Sequence, residues 1–152
     1  MKDHFGKEIT WNVESYRELK YRVKRTLLLN KKDAIDITER IALISRYIRF
    51  VGLIDGHGKL IAYQRRSGLK PLLDSKNTLN QFSHVATKTG MEAKFDKQLG
   101  QVNFVWEERE KAQTISFGID KSRVWISIDK KVVRSEVLRI VDICLPIVKY
   151  YS

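Results

Sequence analysis

Apolar side chains recur along this chain with two periods, and the switches between them mark the elements. From Val13 to Leu29, Tyr16, Leu19, Val23 and Leu27 stand three and four residues apart, which is one face of a helix capped by Thr10 or Asn12. "NKKD" interrupts that pattern. A second helix is predicted from Asp36, with Glu39 three residues on as in a capping box and Ile37, Ile41, Ile44 and Ile48 along its face. The β-branched density near its end predicts a change to strand around Tyr47 to Arg49. From Ile48 to Asp55 both alternating sets are apolar, as in a central strand covered on both sides. Gly52 within it leaves room for a close approach. "DGHG" then supplies a tight reversal, and Lys59 to Arg66 returns as the hairpin partner.

The segment "SGLKPLLDSKN" reads as a loop pinned to the body by Leu69, Leu72 and Leu73. Asp74 or Ser75 caps a third helix with Leu79, Phe82 and Ala86 inward. Met91, Phe95 and Leu99 continue it at intervals of four, with a kink or break at Gly90 and a C-cap at Gly100. The period then becomes two. Val102, Phe104 and Trp106 form a third strand, Ile115, Phe117 and Ile119 a fourth, and Val124, Ile126 and Ile128 a fifth, with "EEREKAQ" and "DKSR" as turns. The last segment, Val132 to Tyr151, is helical and apolar over most of its girth, so it must be buried on more than one side. One side is the sheet, and a second subunit is the expected cover for the other. Pro146 should kink or shorten it.

Strands joined by short turns pair antiparallel. The expected fold is therefore α+β: a five-stranded antiparallel sheet, made of a hairpin and a three-strand meander, with helices packed on it. One domain spans residues 1–152, with an N-terminal helical segment at 13–47 and a sheet–helix core at 48–152. The order helix, hairpin, helix, meander, helix resembles the roadblock and profilin-like regulatory domains, with an extra N-terminal helix; PAS and GAF sensor domains arrange similar pieces. In its residues, "IRFVGLIDGHGKLIAYQRRSGLKPLLD" followed by "KFDKQLGQVNFVWEEREKAQTISF" is similar to an uncharacterised family of short archaeal proteins, mostly from ammonia-oxidising lineages, over residues 14–130. That resemblance implies a host and carries no site residues.

A hydrophobic fraction of 43% is that of a globular domain, which excludes disorder. No apolar run reaches the eighteen or so residues of a membrane span, and the N-terminus lacks a signal peptide's apolar core. The single cysteine, Cys144, sits in an apolar pattern and cannot pair within the chain, so a cytoplasmic protein is expected. The net charge of +11 is spread: the thirds 1–47, 48–100 and 101–152 carry excesses of four, five and two positive charges. Such a surface attracts polyanions without sequence preference.

Candidate chemistry is sparse. His4, His57 and His84 have no metal-ligand spacing, so no metal is expected. "DGHG" lacks the phosphate-loop pattern and enters a strand instead of a helix. Neighbouring carboxylates in "EERE", Glu107 to Glu110, should point to opposite sides and not act as a pair. No catalytic residue and no cofactor are assigned, and the chain is read as not an enzyme. The candidate contacts for an anionic partner or nucleic acid are Arg17, Lys20, Lys24, Arg25, Arg65, Arg66 and Lys70. Trp125 alternates out of phase with Val124, Ile126 and Ile128, so it faces a partner, a ligand cleft or a covering helix; with Leu138 and Leu145 it forms the candidate interface. The function expected is a non-catalytic regulatory or scaffolding module acting by protein–protein interaction as a homodimer. A nucleic-acid-associated basic protein and a PAS/GAF-like small-molecule sensor, with a pocket between the sheet and the 69–99 segment, are the alternatives.

Overall fold

The computed structural model describes residues 29–152. The helix read at Val13–Leu29, with Arg17, Lys20, Lys24 and Arg25, therefore lies outside the described residues, Leu29 apart. The elements run α1 (Lys31–Ala42), β1 (Ile48–Ile54), β2 (Leu60–Arg65), α2 (Ser75–Glu92), a 3-10 turn at Ala93–Phe95, a short α3 (Asp96–Leu99), β3 (Val105–Glu108), β4 (Ala112–Ile119), β5 (Ser122–Asp129) and α4 (Arg134–Tyr151). The sheet is antiparallel throughout in the order β2-β1-β5-β4-β3. The hairpin and the meander are thus joined by pairing β1 to β5, and β1 is an interior strand as its sequence demands.

Alternation along the strands gives the sheet two unlike faces. On one, Ile115 and Phe117 of β4 stand opposite Ile126 and Val124 of β5, joined by Val51 and Leu53 of β1. Helices α1 and α4 cover this face through Ala34, Ile37 and Ile41 on one and Val137, Ile140, Val141, Cys144 and Val148 on the other, and the main core lies there. The residues out of phase with these, Thr114, Ser116 and Gly118 on β4 and Arg123, Trp125 and Ser127 on β5, form the second face, beneath α2. Small polar side chains there, and a helix burying only Phe82 of its 18 residues, leave space between sheet and helix.

Several expectations are corrected in detail. Helix α1 starts at Lys31 within "NKKD", because Asn30 Oδ1 accepts from the Asp33 N–H at 2.8 Å and makes the cap expected at Asp36. Asp74 caps α2 as expected, accepting from the Asn77 N–H at 2.7 Å. Gly90 does not interrupt α2; the helix tightens after Glu92 instead. Strand β3 begins at Val105, three residues later than the alternation suggests. Pro146 is accommodated inside α4, which runs unbroken to Tyr151. Helix α1 of the same chain packs beside α4, while Leu138, Ile143 and Tyr150 of α4 stay exposed. Tyr151 Oη donates to Asp36 Oδ2, and Arg139 Nη2 donates to the Ile44 carbonyl at 2.8 Å.

Candidate functional site

The space between the second sheet face and α2 opens as a cleft of about 730 Å³. Its floor comes from three strands: Phe50 of β1, Trp125 and Ser127 of β5, and Thr114 of β4. The polar side of α2, with Asn77, Thr78, Gln81 and His84, forms one wall. Leu69, Pro71, Leu72 and Leu73 of the β2–α2 loop form a lip. Leu72 and Leu73 do not pin the loop to the core as expected, for they are exposed, whereas Leu69 is half-buried. Arg49 does the pinning, its Nη2 donating to the Lys70 carbonyl at 3.2 Å. Phe50, Phe82 and Trp125 pack as an aromatic cluster at the inner end, with centroids 5.6 to 6.1 Å apart.

The electrostatics of the cleft have one sign. Arg49 and Arg65 stand on the β1–β2 side, and Arg109 and Lys111, from the β3–β4 turn, on the other. Among the described residues no carboxylate lines it. The Arg65 guanidinium lies 5.2 Å from the Phe50 ring centroid, a cation–π contact that holds the charge at the rim. Arg123 is buried on the same face, its Nε donating to Ser116 Oγ at 3.0 Å, and burial lowers its pKa while Glu92 opposes that shift.

The residues singled out in the sequence separate. Arg65 lines the cleft, whereas Arg66 does not: its Nη1 donates to the Arg46 carbonyl, and its own N–H to the Arg49 carbonyl at 3.0 Å. Lys70 is exposed on the loop. Trp125 faces away from the main core as its phase requires, but α2 of the same chain covers it to 8% exposure. It is thus a cleft-floor residue and not an open contact for a second chain. Leu145 is half-buried against the main core, and Leu138 remains 47% exposed on α4. The "EERE" carboxylates diverge as expected: Glu107 pairs with Lys88 of α2 at 3.3 Å, and Glu108 with Arg134 of α4 at 2.9 Å, on opposite faces. His57 is exposed in the β1–β2 turn. There Asp55 Oδ1 accepts from the His57 and Lys59 N–H groups at 2.8 and 2.9 Å. Burial alone would raise the Asp55 carboxyl, but these two donors outweigh it and hold the pKa below the usual range.

Sequence reasoning missed two features. Arg49 reaches the cleft from β1 and Arg109 and Lys111 from the β3–β4 turn, and the legible hint was Thr114, Ser116 and Gly118, too small to fill the space under a helix. The second is an apolar strip. Met91, Phe95 and Leu99, read as inward helix positions, are 61%, 59% and 82% exposed and lead to the edge strand β3.

No protein-family model and no curated protein sequence matches the chain. Solved structures do match. The gliding protein MglB of Thermus thermophilus aligns with a TM-score of 0.62 at 13% identity, over 82% of this chain and 93% of that one. Myxococcus xanthus MglB gives 0.54 at 13% identity, over 79% and 91%, and a roadblock/LC7 domain from Streptomyces avermitilis 0.54 at 8%, over 76% and 93%. The fold is the roadblock fold. Another match to it, with a TM-score of 0.58 at 15% identity, over 83% of this chain and 96% of that one, is MglB in a tetrameric arrangement. Profilin, PAS and GAF domains, set beside it on topology, are not needed to describe the architecture. Among the described residues no helix is long and apolar enough to cross a membrane.

Proposed function

We propose that this chain is a non-catalytic regulatory module that acts by protein–protein interaction as a homodimer, a single cytoplasmic domain in an archaeal host. The observation that carries the reading is the run Met91, Phe95, Leu99 and Val102. These are exposed apolar side chains leading from the end of α2 to β3, the strand at one sheet edge among the described residues. Exposed apolar surface beside a free strand edge is the usual signature of a protein contact. The roadblock fold and the tetrameric MglB arrangement support it by likeness. Short β3, with four residues, offers backbone donors and acceptors to a second copy, and the apolar strip supplies the area beside them.

Sedimentation over a range of concentrations tests this. The wild-type chain is expected as a dimer, and Phe95→Glu with Leu99→Glu is expected to give a folded monomer, with unchanged circular dichroism. A wild-type monomer at every concentration would sink the dimer part. Dissociation by Leu138→Glu but not by the strip variant would move the interface to α4. The nucleic-acid reading rests on net charge alone, and a labelled duplex at about 50 mM salt, where charge-driven binding is strongest, tests it separately.

A further inference from the structure

The cleft beneath α2 is not used by the interaction reading. We infer that it is a binding site for a small organic anion, one with a flat apolar ring system and a phosphate, sulfonate or carboxylate group. Its volume of about 730 Å³ falls within the range of small-molecule sites, which run from roughly 300 to 1,000 Å³. Such sites combine an apolar floor with a few convergent polar groups. Here the floor is Phe50 and Trp125, flanked by the hydroxyls of Thr114 and Ser127.

The charge pattern fixes the sign of the ligand. Arg49, Arg65, Arg109 and Lys111 converge on the opening, and no carboxylate among the described residues lines it. Arg109 approaches Glu107 at 3.7 Å, and Arg49 is tied to a backbone carbonyl, so neither loses its positive charge to a close buried partner. Arginine forks match planar or tetrahedral oxyanions. The spacing sets the size. Strands β1 and β4 flank β5, so the backbones at Arg49 and at the start of β4 stand about 10 Å apart by strand spacing, with Arg65 on β2 one strand further out. That gap takes one fused ring system above the floor that Trp125 and Phe50 help to line, with its acid group at either rim. A nucleic acid backbone fits less well, because the cationic groups close around a pocket instead of running along a stripe.

The closing experiment uses the full-length chain and two probes with the same rings: 1-anilinonaphthalene-8-sulfonate and its neutral analogue N-phenyl-1-naphthylamine. One sulfonate probe per chain is expected, bound about tenfold or more tightly than the neutral one. Arg65→Glu with Lys111→Glu should weaken the sulfonate about tenfold or more and leave the neutral probe unchanged. Lys131→Glu with Lys149→Glu, the same change of net charge outside the cleft, should leave both within about twofold. Amide resonances of Thr114, Ser127 and Gln81 should shift on titration. Equal affinity for the two probes, equal loss in the two charge-reversed variants, or shifts confined to other surfaces would each overturn the inference. If the cleft reversal fails to fold, the wild-type comparison of the two probes and the resonance map decide it. The result is independent of oligomeric state, so its failure leaves the homodimer reading standing.

Discussion

Gly58, in the turn between β1 and β2, rests on the backbone of Ser83 in α2. A Cβ at Gly58 would lie 2.8 Å from both Cα and N of Ser83, closer than side-chain atoms stand to backbone, and Gly58 has φ +84°. The hairpin turn is therefore a support for the helix that roofs the cleft, and His57 beside it is exposed and incidental. Gly58→Ala should cost about 3 kcal/mol, from a left-handed backbone that disfavours Cβ plus a clash with a helix backbone that has little room to move. Gly68 has nearly the same φ, +78°, but nothing within 4 Å of its Cβ position, so Gly68→Ala should cost only about 1 kcal/mol. Denaturant melts of both variants separate the two contributions, and equal costs would remove the helix contact from the account.

Phe82 is the one residue of α2 that is fully buried, at 1% exposure, edge-on to Trp125 and stacked near Phe50. A helix held through one large side chain loses most of its anchorage when that side chain is truncated. Phe82→Ala should destabilise by about 3 kcal/mol and speed amide exchange in α2 far more than in α1 and α4. Uniformly faster exchange across all helices would show that α2 does not open on its own.

The fold was readable in the chain wherever burial is one-sided or complete. The doubly apolar run Ile48–Ile54 had to be an interior strand, and the phase of Trp125 against Ile126 placed it on the second face before any helix was known to cover it. The N-terminus of α1 was misplaced because Asp36 and Glu39 mimic a capping box, while Asn30 makes the cap in a segment that looks like a breaker. Met91, Phe95 and Leu99 kept the helical interval of four, and that interval cannot distinguish a side facing the core from one facing solvent. The place of the cleft, between the sheet and the 69–99 segment, belongs to the small-molecule-sensor reading, but its charged lining was not legible, for a different reason. Its cations come from β1, β2 and the β3–β4 turn, and only the pairing of β1 with β5 brings those segments to one opening.

Cys144 should be inert in the folded chain. It is fully buried in α4, and burial pushes its thiol up to about 12. Thiolate is the reactive form, so labelling by a disulfide reagent at pH 8 should be slower than in denaturant by on the order of a hundredfold or more. Cys144→Ser would place a hydroxyl among Ile140, Val141 and Val148 and should destabilise more than Cys144→Ala. Fast native labelling would mean that α4 opens locally, which its packing against both the sheet and α1 argues against.

Tyr151 and Asp36 join the last helix to the first described one and should give the fold a pH window. The hydrogen bond from Tyr151, with Arg40 nearby at 3.1 Å, lowers the Asp36 pKa from its ordinary 3.8. A folded pKa below the unfolded one gives stability that is present above about pH 4 and lost as pH falls through the folded value. Tyr151 moves the other way: burial first, and then the bond to Asp36, raise it from 10.0 to about 12. Its contribution is whole below pH 10 and lost as pH rises to about 12. Asp36→Asn should bring the Tyr151 titration part of the way back toward 10, because burial remains, and should remove the acid-side loss. Tyrosine resonances followed against pH in both proteins check this, and an unchanged Tyr151 titration in the variant would show that burial alone sets it.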